Sequence, residues 1–360
     1  MATRPWAVVA AAGTAAVALL VVACGGHDSR ASGTRALGSD LDDVVASGVP
    51  GALVLVADDT GTFRAARGVA NRSIGDRLRA TDRFRVGSIT KTFVAACVLQ
   101  LVAEGKLELD APVERWLPGL VPHGITVRQL LAHTSGLPDY VDDPSITSEE
   151  FRSPRQLTRR ALARATIGDP GERYVYASTN YLVLGLLVER VAGATLDEQL
   201  TRRIFRPLRL RRTTFEPGAV QLHVHGYRAQ MHDGIVSGAP PEDTDGESAS
   251  WAWAAGAIVS DADDLARFLT ALVSGHVVAR PQLGEMIPAQ GYGLGLAAFK
   301  TSCGTAVGHT GNLGGFVSAA WATPDGDRTV VVMANAYPLT PEADAAIHRM
   351  LDDAFCSSLD

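Results

Sequence analysis

A hydroxyl and an amine three residues apart, at the start of a long apolar segment, are the feature that most constrains this chain. Ser88 and Lys91 precede an apolar run with helical periodicity that reaches Val102. On a helix, residues i and i+3 share a face with Cβ atoms about 5–6 Å apart, so Lys91 is within reach of the Ser88 hydroxyl. A serine becomes a useful nucleophile when a neighbour accepts its proton, and a lysine can do so when burial lowers its pKa. The pair therefore predicts a buried helix that begins at a candidate nucleophile.

Length and composition indicate an ordinary globular protein. The chain has 360 residues, 46% hydrophobic and 20% charged, which is enough for a substantial core in one or two lobes. The formal net charge is −6, and no region concentrates Lys and Arg as a nucleic-acid-binding surface does. We therefore expect no nucleic acid as a partner. We also expect a monomer that binds a small molecule or a peptide.

The first 38 residues predict export. Residues 1–23 have the features of a signal peptide, with Arg4 followed by an apolar, small-residue-rich run over 6–22. The small residues before Cys24 resemble a bacterial lipobox, which implies cleavage before Cys24, lipidation of Cys24 and a flexible tether over 24–38. The alternative is an uncleaved anchor, because the run is just long enough to span a bilayer. Both interpretations export the remainder; lipidation would attach it to the outer face of the cytoplasmic membrane, in the cell envelope.

Residues 39–360 predict one α+β domain. Strand-like segments at both ends would share an antiparallel sheet flanked by helices, and a mostly helical lobe over about 105–270 would lie beside it. The predicted strands cover residues 51–57, 63–69, 292–299, 305–309, 316–323 and 328–335, and the clearest helices besides that of Ser88 cover 37–47, 179–192, 196–205, 264–274 and 342–355. The Ser88 helix would lie at the seam between the lobes, where ligand sites are common.

A second candidate reactive group is the phenol of Tyr176. This residue shortly precedes the predicted helix over 179–192. A phenol in hydrogen-bond contact with Ser88 and Lys91 could carry a proton to a leaving group. The alternative is an aromatic residue of the core, which is the commoner role of an isolated tyrosine.

A third candidate segment ends a predicted strand with His309, Thr310 and Gly311. Gly311 would let a substrate approach the backbone closely, since it has no Cβ atom. The main-chain N–H of Asn312, together with that of Ser88, could form an oxyanion hole. His309 and Thr310 offer a cation or hydrogen-bond donors to a substrate. In isolation, the same triplet is simply the end of a strand.

The order of these three motifs resembles that of the penicillin-recognising serine hydrolases. This family includes serine D-alanyl-D-alanine carboxypeptidases, class C β-lactamases and related esterases. The similarity covers nearly the whole chain after the tether and is greatest to the secreted actinobacterial-type carboxypeptidases. The matching stretches are residues 87–93, 99–107, 125–129, 133–137, 292–296, 302–304 and 354–356.

The resemblance implies a β-lactamase/DD-peptidase-like fold with the site at the seam, and no cofactor. It implies that Ser88 is the nucleophile, Lys91 its proton acceptor and Tyr176 a proton relay. The substrate-binding and oxyanion positions it implies are Ser88, Asn312, His309, Thr310, Gly311, Ser178, Trp251 and Tyr181. A disulfide between Cys303 and Cys356 is also implied; from the residues alone, the two thiols could equally be unrelated.

The implied function is an acyl-enzyme serine hydrolase of the cell envelope related to D-alanyl-D-alanine carboxypeptidases and β-lactamases. Its substrates would be D-Ala-D-Ala peptides, β-lactams or small esters. The alternatives are a promiscuous esterase of small esters and a non-turnover lipoprotein that binds penicillin or wall peptides.

Two departures from the family pattern concern substrate recognition. The family usually has Asn two residues after the motif tyrosine, where this chain has Ser178, and Asn180 is two positions further on. The carboxypeptidases place an Arg that pairs with the substrate carboxylate where this chain has Ala297, and Lys300 is three residues away. Acyl transfer is expected to be intact, whereas recognition of a peptide carboxylate is in question.

Other histidines and cysteines have simpler interpretations. His133 begins a His-Thr-Ser-Gly stretch in the helical lobe, which we interpret as a structural turn. His223, His225 and His232 lack the spacing of a zinc site, so we expect no metal. Cys97 lies in the apolar helix after Ser88 and is predicted to be a buried free thiol.

Overall fold

The computed structural model describes residues 30–143, 145, 146, 152–232, 235–237 and 239–357, with backbone only for 30–32. The predicted signal peptide and Cys24 lie outside the described residues. The helices are α1 (Arg30–Ala46), α2 (Thr90–Ala103), α3 (Val127–Leu131), α4 (Pro154–Leu162), α5 (Thr179–Ala192), α6 (Leu196–Leu200), α7 (Ala262–Val273), α8 (Arg280–Met286) and α9 (Pro341–Cys356). Short 3-10 turns cover Gly87–Ile89, Val113–Arg115, Tyr140–Asp142 and Trp253–Ala255, and a π-helical turn covers Thr201–Phe205.

The strands at the two ends of the chain form one antiparallel sheet, as predicted. The strands are β1 (Gly51–Asp58), β2 (Gly61–Asn71), β3 (Asp76–Arg77), β4 (Phe84–Arg85), β5 (Thr214–Phe215), β6 (Tyr227–Arg228), β7 (Met231–His232), β8 (Ile235–Val236), β9 (Glu242–Asp243), β10 (Ile258–Ser260), β11 (Ala297–Thr301), β12 (Gly304–Leu313), β13 (Phe316–Ala322), β14 (Arg328–Ala334) and β15 (Ala336–Tyr337). The order in the main sheet is β11-β12-β13-β14-β1-β2-β3. Of the predicted strand over 292–299, only the part from Ala297 is a strand.

Both faces of this sheet are covered by helices, which is why β1 is apolar along nearly its whole length. Successive side chains of a strand point to opposite faces. Leu53 and Leu55 pack with α2 and α7, whereas Val54 and Val56 pack with α1 and α9. The sheet is therefore buried on both sides, and the Ser88 helix α2 lies on the face that continues into the second lobe.

The second lobe is built around α5, whose residues 179–188 are all buried and whose apolar side chains there share one cluster with α2. Helices predominate in this lobe as far as Phe205. The predicted helical lobe over 105–270 differs over 214–260, which contains short strands, β5 to β10, paired in three small sheets. The reason is local, since prolines and glycines interrupt any helical periodicity there.

The predicted tether is too long at its C-terminal end. Helix α1 begins at Arg30, and Leu37, Leu41 and Val44 recur at helical spacing and are buried against the sheet. The end of the predicted tether therefore overlaps a helix that packs on the sheet through Leu37. Among the described residues, no helix is long and apolar enough to cross a membrane.

The predictions for Cys303, Cys356 and Cys97 are confirmed. Cys303 follows β11 and Cys356 ends α9; the two form a disulfide with a Cα–Cα distance of 5.6 Å. Cys97 is a buried free thiol in α2, and burial raises its pKa to about 12. The disulfide ties the last helix to the edge of the main sheet, away from the seam.

Candidate active site

Ser88 lies where α2 meets the edge of the main sheet. It is the middle residue of the 3-10 turn Gly87–Ile89, and Gly87 has the left-handed φ of 52°. A Cβ atom on Gly87 would lie 2.6 Å from the main chain of Asn312, and one on Gly311 would lie 2.0 Å from the carbonyl oxygen of Val86. Both positions need glycine because β12 touches the turn.

This contact brings the Asn312 main chain beside Ser88. Strand β11 pairs with β12 only as far as Gly308, so the remaining part of that edge of β12 faces the turn and the cavity. The predicted oxyanion hole of Ser88 and Asn312 requires two main-chain segments that meet at the nucleophile, and this contact provides them.

Lys91 is fully buried, and its Nζ lies 2.9 Å from the Ser88 hydroxyl and 2.9 Å from the carbonyl oxygen of Ala255. Burial lowers its pKa from 10.5 to about 7, while the carboxylate of Asp139 acts in the opposite direction. A substantial fraction of the amine is therefore neutral near pH 7 and able to accept the Ser88 proton across the same 2.9 Å.

Tyr176 completes this group. Burial raises the pKa of its phenol well above the usual value, and a hydrogen bond with Ser88 acts in the opposite direction. The Lys91 ammonium lies 5.1 Å from the centre of the Tyr176 ring. The phenol is therefore neutral and in hydrogen-bond contact with the nucleophile, a state in which it can relay a proton.

His309 lies in the cavity wall, as expected, but it supplies no cation. Burial, and next the charge of Lys91, lower its pKa to about 3, so the ring is neutral. Its Nδ1–H donates to the carbonyl of Thr310, and its Nε2 accepts from the Tyr292 hydroxyl at 3.0 Å. Of the two roles expected for this segment, a cation or hydrogen-bond donors, the neutral His309 ring does not supply the cation, because it is buried beside Lys91. The strand also does not end at His309, since β12 continues to Leu313.

The predicted residues enclose one cavity of about 580 Å³ at the seam of the lobes. Its lining includes Ser88, Lys91, Tyr176, Ser178, Trp251, His309, Thr310, Gly311 and Asn312. Tyr181 is the exception: it is fully buried, and its hydroxyl donates to the carbonyl of Leu131 at 3.2 Å. Tyr181 lies behind the cavity lining because its position on α5 directs the side chain into the core. The centre of its ring is 5.7 Å from Lys91 Nζ. It does not line the cavity.

The cavity lining also contains two acidic residues that the sequence did not single out. Asp139 and Asp142 line the cavity around the 3-10 turn Tyr140–Asp142. The Asp139 carboxylate accepts from the N–H of Val141 at 3.3 Å, and Asp142 lies 4.0 Å from the Arg164 guanidinium. Ala297 also lines the cavity, so the alanine indeed replaces a side chain that would face substrate. No sequence signal distinguishes the two aspartates from ordinary turn residues.

Two histidines outside the cavity contact carboxylates. His223 contacts Asp76 at 2.8 Å and Asp82 at 3.0 Å, and His225 contacts Asp243 at 2.8 Å. Among the described residues, no group of three or more His, Cys, Asp or Glu side chains is arranged to hold a metal ion.

A beta-lactamase family model matches residues 38–355. The chain belongs to the beta-lactamase family. It is a serine hydrolase of the superfamily that includes β-lactamases and penicillin-binding proteins, with the corresponding α+β fold.

Solved structures and curated proteins give more specific similarities. A D-stereospecific amidohydrolase from Streptomyces sp. superposes with a TM-score of 0.81 and 34% identity, over 90% of this chain and 98% of that one. The D-amino acid amidase of Ochrobactrum anthropi SV3, complexed with D-phenylalanine, superposes with a TM-score of 0.80 and 25% identity, over 89% and 98%. Esterase EstB of Burkholderia gladioli is 34% identical over 191 residues, 48% of this chain and 47% of the esterase. The chain spans 60% of the length of staphylococcal relatives that it matches at 26% identity.

Proposed function

We propose that this protein hydrolyses small amides and esters of amino acids through an acyl-enzyme on Ser88, and that it prefers substrates whose leaving group is uncharged. The observation that carries this proposal is the charge of the cavity wall. Among the described lining residues, the basic side chains are Lys91 and His309. Lys91 forms a hydrogen bond with Ser88, and His309 is neutral. Two carboxylates, Asp139 and Asp142, line the same space. A substrate carboxylate would meet negative charge and no arginine.

The proposed acylation begins when Ser88 Oγ attacks the substrate carbonyl carbon while its proton moves to Lys91 Nζ. The main-chain N–H groups of Ser88 and Asn312 stabilise the oxyanion that forms. The bond to the leaving group then breaks; the leaving group takes the Tyr176 hydroxyl proton, and Tyr176 regains a proton from Lys91. A water molecule then attacks the acyl-enzyme and releases the acid. The buried, partly neutral Lys91 and its short contact with Ser88 support the first step.

The similarities support the same substrate class. The two solved structures named above are a D-stereospecific amidohydrolase and a D-amino acid amidase, and a further relative is an esterase. An amide or ester of an amino acid has a neutral leaving group, so the loss of an arginine at position 297 costs it nothing. We propose D-amino acid amides and esters as the first substrates to test. D-Ala-D-Ala carboxypeptidase activity, implied by the resemblance, requires a carboxylate partner that the described wall does not offer.

A matched substrate pair tests this proposal. A D-Ala-D-Ala peptide with a free C-terminal carboxylate and the same peptide with a C-terminal amide differ in the charge of the group released from the D-Ala-D-Ala bond. Release of D-alanine or of D-alanine amide measures cleavage of that bond alone, apart from hydrolysis of the terminal amide. We expect kcat/KM to be at least about tenfold higher for the amidated peptide, near the value of a hydrogen bond to a charged group. D-phenylalanine amide and its methyl ester extend the series. Higher kcat/KM for the free carboxylate would contradict the proposal, and a lasting penicillin adduct with no turnover of any substrate would favour the capture function.

We also propose that the protein is exported and held at the membrane through lipidated Cys24. This proposal is supported by the sequence before Cys24, which lies outside the described residues. Cys24→Ala should move the protein from the membrane fraction to the soluble fraction of the envelope. A variant that stays membrane-bound with its first 23 residues still attached would instead indicate a transmembrane anchor.

A further inference from the structure

The turn that begins at His133 lies directly behind Tyr176. His133 follows α3, is fully buried and has a left-handed φ of 57°. Its imidazole stacks on the Tyr176 ring with a centroid distance of 4.2 Å and an angle of 25°. The interpretation of this stretch as a structural turn is therefore incomplete, because the turn contacts a residue of the active site.

Residues 173–177, which include Tyr176, belong to no helix or strand. Other contacts must therefore fix the position of the phenol. The N–H of Val175 donates to the carbonyl oxygen of His133 at 2.9 Å, and the N–H of Ala177 donates to His133 Nδ1 at 3.1 Å. One residue thus holds the main chain on both sides of Tyr176 and packs against its ring.

The hydrogen bonds also fix the state of the imidazole. Because Nδ1 accepts from Ala177, the proton of the neutral ring is on Nε2. The Asn180 amide nitrogen lies 3.1 Å from the same Nδ1, and the Asn180 oxygen accepts from the Ser135 hydroxyl. Burial, and then the charge of Lys91, lower the pKa of His133 well below its usual value. The ring is therefore held as a neutral acceptor.

We propose that His133 is a positioning residue for acyl transfer: its Nδ1 and carbonyl oxygen hold the Tyr176 segment so that the phenol stays in contact with Ser88. This inference rests on the proposed roles of Ser88, Lys91 and Tyr176. It assigns to His133 an effect on the rate of acylation rather than on substrate affinity, because His133 lies behind Tyr176 and outside the cavity lining.

Two substitutions separate the acceptor from the ring. His133→Phe keeps an aromatic ring against Tyr176 but removes the Nδ1 acceptor. His133→Asn loses the ring but keeps an acceptor at nearly the same position, and asparagine tolerates a left-handed backbone. We expect His133→Phe to lower kcat for ester hydrolysis about 10- to 100-fold with KM within about twofold, a fraction of the effect of a lost acid–base group. We expect His133→Asn to stay within about threefold of the wild type.

A double-mutant cycle with Tyr176→Phe distinguishes positioning from a general loss of structure. If His133 acts through the phenol, His133→Phe should have little further effect on kcat in the Tyr176→Phe background. An undiminished effect there would overturn the proposal. If His133→Phe does not fold, as judged by near-UV circular dichroism, His133→Asn decides: a folded variant that is slowed as much as Tyr176→Phe overturns the role of the acceptor.

Labelling of the wild type keeps the two proposals separate. Formation of a fluorophosphonate adduct on Ser88 of the wild type tests the proposed function on its own. An adduct on the wild type together with an unchanged acylation rate in His133→Phe would reject the role of His133 alone.

Discussion

Two groups of residues enclose the cavity, and they depart from the family pattern to different extents. We call Ser88, Lys91, Tyr176 and Asn312 the reactive floor, and Asp139, Asp142, Ser178 and Ala297 the recognition wall. The floor matches the family at each motif and is fixed by backbone contacts that only glycine permits, at Gly87 and Gly311. The wall has a hydroxyl where the family pattern has an amide and an alanine where the carboxypeptidases have an arginine, and it contains two carboxylates.

The difference teaches that the chemistry and the choice of substrate are built separately in this fold. The floor depends on burial, which gives Lys91 a pKa of about 7, and burial comes from the core shared by α2 and α5. The wall consists of side chains at loop and strand ends, which can change without disturbing that core. Changes to the floor should therefore alter rates for every substrate, and changes to the wall should alter the ratio between substrates.

The largest effect should come from removing the amine of the floor. Lys91→Met is expected to slow acylation by at least about 10²-fold for esters and amides alike, the usual scale of a lost general base. Stopped-flow measurement with a nitrophenyl ester gives the rate. A loss confined to one substrate class would contradict the separation between floor and wall.

The same substitution should stabilise the fold at neutral pH. The Lys91 pKa falls from 10.5 to about 7 on folding, so between these values the unfolded chain binds the proton more strongly. The free energy of unfolding of the wild type must then rise with pH over that window. Below pH 7 the folded state bears the whole cost of burying the charged Lys91. At about 1.4 kcal/mol per pKa unit, that cost is about 5 kcal/mol. The gain in Lys91→Met, measured by urea unfolding, should be larger at pH 6 than at pH 10; equal gains would contradict this account of the Lys91 pKa.

The pH dependence of turnover should follow the floor as well. Lys91 must be neutral to accept the Ser88 proton, so kcat/KM should fall about tenfold per pH unit below pH 7. His309 has a pKa of about 3 and should not titrate in this range. A profile for a nitrophenyl ester that is flat down to pH 5 would show that Lys91 is not the proton acceptor.

A change in the wall should be smaller and selective. Ala297→Arg should raise kcat/KM for the free-carboxylate peptide relative to its amide by about tenfold, as expected for a hydrogen bond to a charged group. Ala297→Met adds bulk without charge and is the matched control, and Lys300→Ala tests the exposed neighbour that does not line the cavity. A shift produced equally by Ala297→Met would mean that bulk, rather than charge, sets the preference.

The smallest effect on turnover should come from the disulfide. Opening Cys303–Cys356 with paired serines should lower the free energy of unfolding by about 4 kcal/mol in the chain-entropy model. Because the bond lies between the end of β11 and α9, kcat should stay within about twofold of the wild type. A large loss of kcat in folded protein would indicate that the sheet edge controls the floor.

The sequence predicted the floor better than the wall for physical reasons. Helical spacing sets Ser88 and Lys91 on one face whatever surrounds them, and the glycines at 87 and 311 mark a close approach of backbones. The neutral state of His309 could not be predicted from the sequence around it, since it depends on burial beside Lys91. Likewise, the position of Tyr181 in the core depends on how α5 turns against its neighbours.

The same limit applies to the turn of His133 and to the start of the domain. His133 contacts Tyr176 only because residues 43 and 44 positions apart meet in the folded lobe. Helix α1 begins at Arg30, and Leu37 and Leu41 pack it against the sheet. The local composition of this segment did not predict that contact. Long-range contacts of this kind carry little signal in one sequence.

The central claim is that Ser88 forms an acyl-enzyme that turns over. Time-resolved intact-mass spectrometry of the wild type and Ser88→Ala with a nitrophenyl ester, followed by peptide mapping, tests it most directly. We predict one acyl group on the wild type, mapped to Ser88, which forms and disappears as product accumulates, and no adduct on a folded Ser88→Ala. An adduct on another residue, or hydrolysis by Ser88→Ala at the wild-type rate, would contradict the account.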